Sequence, residues 1–140
     1  MPAEFIWNVR VYYEDTDAGG IVYYANYLKF FERARTEWLR ALQVEQHVLA
    51  QEHGILFVVK SVSSDYRAPA KLDDVLKLTL SIEKMGRASI QFTQQAWCGE
   101  RLLNTAQVKV ACVGTDMNPC AIPASVVDKI RSTIKTASPD

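Results

Sequence analysis

The chain has 140 residues, of which 49% are hydrophobic and 23% charged, a composition typical of one globular domain with a sizeable core. We therefore expect residues 1–140 to form a single domain. Sixteen basic residues balance sixteen acidic ones, which excludes a strong general attraction to nucleic acid. The apolar runs are too short for a transmembrane helix, so we expect no membrane span.

The first predicted strand spans residues 5–13, where apolar side chains alternate with mostly polar ones. The side chains expected on one side of it are Phe5, Trp7, Val9, Val11 and Tyr13. An acidic loop follows, which contains Asp15, Asp17 and the pair Gly19 and Gly20. These glycines indicate that the backbone bends there or approaches a ligand closely.

A long helix is predicted from about Tyr24 to Leu42, because the apolar residues change to a helical spacing. The residues of this apolar stripe are Tyr27, Phe30, Phe31, Ala34, Trp38 and Leu42. A stripe so rich in large aromatic side chains favours a helix buried against a sheet. The polar stretch 45–54 is typical of a short helix or a loop.

The rest of the chain up to residue 115 is predicted to be strand. The four runs cover residues 55–67, 76–82, 89–97 and 106–112. Tight turns are expected at Gly86-Arg87 and at residues 98–100. Strands joined by such turns usually pair antiparallel.

Pro123 opens a last predicted helix with Val127, Ile130 and Ile134 on one face. The order of elements predicts an α+β fold, in which a five-stranded antiparallel sheet wraps around one long central helix. The second face of this sheet still carries apolar residues, and an edge strand needs cover. We therefore expect the protein to form a homo-oligomer.

The N-terminus and the cysteines favour a cytoplasmic protein without a metal centre. The first residues lack the charged start, apolar core and cleavage site of a signal peptide. Cys98, Cys112 and Cys120 are odd in number and lack Cys-x-x-Cys spacing, which argues against a disulfide framework or a zinc site. Cys112 is predicted to be a small core residue. His47 and His53 are too few for a metal cluster.

Asp17 is the main candidate for chemistry. A carboxylate beside the free N–H groups of a helix start combines a base or nucleophile with donors for an oxyanion. The alternative role is structural, since Asp residues in loops commonly cap helices or form turns. From spacing alone, the structural role is the simpler interpretation. Asp15 is predicted to hydrogen-bond to the loop backbone.

Three stretches of the chain resemble the hotdog-fold acyl-CoA thioesterases. They are YYEDTDAGGIVYYANY at 12–27, FERARTEWL at 31–39 and YRAPAKLDD at 66–74. The most similar group is the YbgC type, found beside the tol–pal cell-envelope genes, to which the 4-hydroxybenzoyl-CoA thioesterases are related. The resemblance implies dimers that share one sheet and pair into a homotetramer, with active sites at the dimer interface.

The resemblance also implies roles for individual residues. Asp17 matches the catalytic carboxylate, and the backbone N–H of Tyr24 matches the group that polarises the thioester carbonyl. Many YbgC-type members have His at position 24, so the Tyr here leaves only the backbone role implied. Gly19 and Gly20 match positions close to the substrate. Tyr13 is expected either to line the pocket near Asp17 or to pack in the core.

Substrate contacts are implied at two further places. Phe57, Val58 and Val59 match a segment that contacts substrate from the partner subunit; alone, they indicate only a buried strand. Arg87 matches a basic hairpin that meets the phosphates of coenzyme A, and Lys84 lies close by in sequence. Ordinary solvated surface charges are the alternative for this pair.

The predicted function is therefore hydrolysis of acyl-CoA thioesters to a free acid and coenzyme A, without a metal or redox cofactor. Acyl carrier protein is a further possible source of substrate. Hotdog dehydratases use a His with a carboxylate, and neither His47 nor His53 falls in the loop–helix motif. The other alternative is a non-catalytic module that binds acyl thioesters or acyl carrier protein in cell-envelope lipid metabolism.

Overall fold

A computed structural model describes residues 4–137 of the chain, with side chains through Ser132. In chain order the elements are β1 (Phe5–Arg10), α1 (Asn26–Ala41), α2 (Gln46–His53), β2 (Ile55–Tyr66), β3 (Val75–Met85), β4 (Ser89–Cys98), β5 (Arg101–Gly114) and α3 (Ala124–Ala137). A single 3-10 turn over Tyr13–Asp15 lies between β1 and α1. None of the helices described is long and apolar enough to cross a bilayer.

The five strands form one antiparallel sheet in the order β1-β3-β4-β5-β2. The predicted hairpins β3–β4 and β4–β5 are confirmed. β2 does not pair with β3, its neighbour in sequence, but with β5, so β1 and β2 lie at opposite edges. The predicted α+β architecture is confirmed.

The apolar stripe of α1 lies against the sheet. Phe30 and Phe31 are each 1% exposed, and Ala34 is fully buried. The ring of Trp38 meets Phe92 of β4 edge-on, with centroids 5.3 Å apart. These contacts confirm the predicted helix face. The side chain of Ile134, predicted to share an apolar face of α3 with Val127 and Ile130, lies outside the described side chains.

Several predicted boundaries were wrong: β3 and β5 are longer than the predicted runs 76–82 and 106–112, and two boundaries beside the acidic loop also differ. β1 ends at Arg10 rather than at Tyr13, because the carboxylate of Asp15 accepts a hydrogen bond from the N–H of Tyr12 at 2.8 Å and turns the chain. Tyr13 therefore lies in the 3-10 turn with its side chain 82% exposed, so core packing within this chain is excluded. α1 begins at Asn26, two residues after the predicted start.

A buried polar link joins α1 to the middle of the sheet. Gln94 of β4 is fully buried, and its amide donates to the backbone carbonyl of Phe31 at 2.9 Å. Its carbonyl accepts a hydrogen bond from the Arg35 guanidinium at 2.8 Å. Burial lowers the pKa of Arg35, and the charge of Glu32 partly offsets this effect. The Gln94 side chain thus hydrogen-bonds both to a helix carbonyl and to a half-buried guanidinium.

Replacing Gln94 should destabilise the fold more than a comparable change elsewhere on β4. In Gln94→Met the volume is nearly kept, but the Phe31 carbonyl loses the hydrogen bond it accepts in addition to its helical one, and the Arg35 guanidinium loses its Gln94 acceptor, which costs about 1–3 kcal/mol. Urea unfolding measures the loss. Gln91→Met, three residues earlier and on the opposite face of β4, is the control and should change little. Equal stability of both variants would contradict this role of Gln94.

Candidate active site

The acidic loop between β1 and α1 closes on itself as a small hairpin. Thr16 and Val22 form an isolated antiparallel bridge. Inside it, the N–H of Asp17 donates to the carbonyl of Ile21 at 2.9 Å, and the N–H of Gly20 donates to the carbonyl of Asp17 at 3.0 Å. Gly20 has φ +81°, a conformation that favours glycine. The turn therefore fixes the backbone of Asp17.

The carboxylate of Asp17 is held by its own turn and faces outward. Oδ1 accepts a hydrogen bond from the N–H of Gly19 at 2.8 Å, while the side chain is exposed in this chain. Within residues 4–137 no donor reaches Oδ2. A Cβ at Gly19 would lie 3.2 Å from Oδ1, so a larger residue there would press on the carboxylate. The loop thus presents one carboxylate oxygen for chemistry.

Asp15 supports the same loop from inside, as predicted. It is 8% exposed, and its carbonyl accepts hydrogen bonds from the N–H of Tyr23 at 3.2 Å and from the amide of Asn26 at 2.7 Å. Asn26 is the first residue of α1. Asp15 therefore fixes where the helix begins relative to the loop that carries Asp17.

Tyr24 lies two residues before the first residue of α1. Its carbonyl accepts from the N–H of Tyr27 at 3.3 Å and from the hydroxyl of Tyr66 at 3.2 Å. Its own N–H finds no acceptor among the described residues. An N–H at the positive end of a helix is suited to hold an oxyanion.

A cluster of tyrosines surrounds this helix start. The ring of Tyr24 lies 4.8 Å from that of Tyr23 and 5.9 Å from that of Tyr66. The pKa of Tyr23 is raised, first by a hydrogen bond with the Tyr24 side chain and to a smaller extent by the negative charge of Asp17. Asp17 therefore lies close enough to Tyr23 to act on it electrostatically. Sequence reasoning missed Tyr23 and Tyr66, although both belong to quoted motifs.

The predicted substrate segment on β2 lies at the other end of that strand from Tyr66. Phe57 and Val59 line a cavity of about 120 Å³ against α1, together with Arg35 and Trp38. Val58 is not among the lining residues. Asp17 and Tyr24 do not line this cavity either, so the structure does not bring the two halves of the predicted site together within one chain.

The predicted basic residues lie at the β3–β4 turn. Arg87 lines an open groove of about 450 Å³ between this turn and α3, whereas Lys84 is exposed outside its lining. Arg131 of α3 lines the same groove and was missed. Arg131 lies one helical turn after Val127, beside the apolar face of the predicted helix, and that pattern does not show which surface it meets.

The chemistry available to this arrangement is narrow. An outward carboxylate and an N–H without an acceptor among the described residues suit a carbonyl-containing ligand. The groove, lined by Arg87, Arg131 and Asp128, has two guanidinium groups for an anion and one carboxylate beside them. His47 and His53 both lie in α2, outside the loop. Among the described residues, no three His, Cys, Asp or Glu side chains come together as a metal site would need.

Solved structures define the class of fold. A probable thioesterase from Bartonella henselae matches with a TM-score of 0.83 and 35% identity, over 86% of this chain and 100% of that chain. A hypothetical protein from Aquifex aeolicus matches with a TM-score of 0.83 and 28% identity, over 90% of this chain and 98% of that chain. The fold is the hotdog fold of thioesterases.

Sequence relatives define the family. Residues 19–105 match the Thioesterase superfamily. An acyl-CoA thioesterase YbgC from Haemophilus influenzae is 50% identical over 87% of this chain and 90% of that protein. The acyl-CoA thioester hydrolase YbgC of Escherichia coli O157:H7 is 48% identical over 91% of this chain and 96% of that protein. The chain belongs to the Thioesterase superfamily.

Gly20→Ala should strain the loop that carries Asp17. A non-glycine residue in the left-handed region costs about 1–2 kcal/mol, and thermal unfolding measures that loss. Gly99→Ala is the matched control, since Gly99 also has positive φ (+59°) and, like Gly20, no atom within 4 Å of an added Cβ. Both variants should lose similar stability, but only Gly20→Ala should shift the amide resonances of Asp17 and Ile21. Unchanged resonances would show that the turn does not need glycine.

Proposed function

We propose that this protein hydrolyses acyl-CoA thioesters to the free acid and coenzyme A. Membership of the Thioesterase superfamily and close relatives named as acyl-CoA thioesterases support this activity. The observation that carries the proposal is local: a turn-held carboxylate, Asp17, precedes a helix start at which the N–H of Tyr24 has no acceptor among residues 4–137.

In the proposed reaction Asp17 acts on the thioester carbonyl carbon. It attacks directly and forms a mixed anhydride that water then hydrolyses, or it removes a proton from a water that attacks. Both routes place negative charge on the carbonyl oxygen, which the N–H of Tyr24 binds with the support of the helix dipole. Coenzyme A leaves as a thiolate, a good leaving group, so a general acid is less necessary than in amide hydrolysis. No metal or redox cofactor takes part.

Coenzyme A carries phosphates, and we propose that the groove between the β3–β4 turn and α3 binds them. Arg87 and Arg131 both line this groove, and a guanidinium suits bidentate contact with phosphate. Lys84, exposed near the same turn, adds positive charge at its edge. Solvated surface charge without a ligand remains the alternative for Lys84, which does not line the groove.

We propose that the complete site forms between chains. Phe57 and Val59 are separated from Asp17 within one chain, and a second copy would supply them to the acyl group, with Val58 behind them. Gly19, Gly20 and the exposed Tyr13 would border the substrate near Asp17. This assembly would be a homodimer or a homotetramer, in the cytoplasm. Acyl carrier protein would present some substrates.

Asp17→Asn should abolish most of the activity. Removal of the general base or nucleophile should lower kcat by about 10²- to 10⁴-fold, measured by thiol release from acyl-CoAs of graded chain length. Glu14→Gln removes a neighbouring exposed carboxylate from the same loop and should leave kcat nearly unchanged. Activity untouched by Asp17→Asn would remove Asp17 from its proposed role.

The same assay separates catalysis from simple binding. The alternative, a non-catalytic module for acyl thioesters or acyl carrier protein, predicts negligible turnover of every acyl-CoA by the wild-type protein. That result, with acyl-CoA binding still detectable by calorimetry, would favour the module and reject the enzyme.

Arg87 and Arg131 should matter for coenzyme A but not for a small thioester. In the double variant Arg87→Gln/Arg131→Gln, KM for acyl-CoA should rise about threefold to tenfold, roughly 1 kcal/mol of binding, with kcat little changed. KM for the acyl N-acetylcysteamine thioester, which lacks the phosphates, should stay the same. Arg101→Gln, at the β4–β5 turn, is the charge control. Equal effects on both substrates would contradict phosphate binding in the groove.

A further inference from the structure

Two free thiols lie against each other at the end of β5. The Sγ atoms of Cys112 and Cys120 are 3.6 Å apart. Cys112 is fully buried in β5, as predicted, whereas Cys120 is partly exposed in the segment that follows the strand. The proposed thioester chemistry uses neither thiol, so their proximity needs another explanation.

The backbone holds these two cysteines in register. After β5 the chain turns back, and Val113 forms an antiparallel bridge with Pro119. The N–H of Gly114 donates to the carbonyl of Asn118 at 3.0 Å, and the N–H of Cys120 donates to the carbonyl of Cys112 at 2.9 Å. Cys112 and Cys120 are therefore directly opposite, one residue beyond the bridge.

This register suits a disulfide. Directly opposite residues in antiparallel pairs have Cα atoms about 4.5–5.5 Å apart, inside the range of about 4.4–6.8 Å that disulfides span. To bond, the sulfur atoms must approach each other from 3.6 Å to about 2.0 Å.

The two thiols differ in reactivity. Burial, with a smaller contribution from Cys120, raises the pKa of the Cys112 thiol to about 12, so Cys112 is a poor first nucleophile. Cys120 is the more accessible, and its neighbours Ala121 and Ile122 line the groove that holds Arg87 and Arg131. A small anionic disulfide entering that groove would reach Cys120 first.

We propose that Cys112 and Cys120 form a thiol–disulfide exchange site for low-molecular-weight disulfides. The thiolate of Cys120 attacks the reagent, forms a mixed disulfide and releases one thiolate. The Cys112 sulfur then attacks the Cys120 sulfur and forms the protein disulfide, while the Cys112 proton passes to the second thiolate as it leaves. Two protein thiols are oxidised, and one reagent disulfide is reduced to two thiols.

One hydrogen bond connects the segment that carries Cys120 to the turn that lines the groove, so formation of the disulfide should affect the groove. The N–H of Ile122 donates to the carbonyl of Arg87 at 2.9 Å, so the segment that carries Cys120 also supports the β3–β4 turn. Tying Cys120 to β5 restrains that segment. We expect amide exchange of Ile122 to become about tenfold slower in the oxidised protein, because local opening is then disfavoured.

The test treats the full chain with oxidised glutathione, blocks the remaining thiols and cleaves after Arg101 and before Asp116, so that Cys98, Cys112 and Cys120 lie on separate fragments. The expected result is a linked pair of fragments that separates on reduction, with Cys98 still blocked as a free thiol. In Cys120→Ser no linked pair should form and Cys112 should remain a thiol. In Cys112→Ala, Cys120 should keep a stable mixed disulfide with glutathione.

Two outcomes would overturn the proposal. One is a wild-type protein that keeps glutathione on Cys120 while Cys112 stays a free thiol. The other is oxidation that links Cys98 as readily as Cys112. Unchanged exchange of the Ile122 amide in the linked protein would reject the coupling to the Arg87 turn. Should Cys112→Ala fail to fold, the wild-type digest and Cys120→Ser decide the question alone.

Discussion

The geometry of the candidate site depends on the hydrogen bonds of Asp15. Its carboxylate turns the chain at Tyr12, and its carbonyl binds both Tyr23 and the first residue of α1, Asn26. These bonds join the end of β1, the acidic loop and the helix start into one unit. Because the two groups proposed for catalysis lie on either side of that unit, their separation is set by backbone hydrogen bonds rather than by flexible side chains. Such preorganisation is what oxyanion stabilisation requires.

The position of the helix start depends in turn on how firmly the whole of α1 is held against the sheet. α1 is held against the sheet by aromatic burial, which is strong but not directional, and by the bonds of Gln94 to Phe31 and Arg35, which are directional. A helix that is free to slide along an apolar face would shift its N–H groups relative to the loop. The buried amide of Gln94 therefore fixes the register of α1 on the sheet, in addition to stabilising it, through residues five and nine positions after Asn26.

Local pattern was enough to predict most of the fold. The stripe of α1, the two hairpins and the turn at Gly86-Arg87 all follow from side-chain periodicity and turn residues, which act over a few positions. The pairing of β2 with β5 was not predictable in this way, because it joins segments far apart in sequence. Arg131 was missed for the same reason, since only the packing of α3 beside the β3–β4 turn gives it a groove to face. The roles proposed for Asp17 and Tyr24 came from the resemblance, since an Asp before a helix more often caps it.

Solvent exposure gives the strongest physical reason to propose a second copy at the site. In one chain Asp17 is exposed and Tyr24 is 59% exposed, so water solvates the carboxylate and competes for the free N–H. A hydrated carboxylate is a weak nucleophile, and an oxyanion bond is worth much less in water than in an enclosed site. The edge strand β2 also exposes Val59, Val62 and Tyr66 beside the helix face. A partner that covers this edge would bury the apolar surface of β2 and would also exclude water from the acidic loop. The contact that stabilises the assembly would therefore also make the Asp17 carboxylate more reactive.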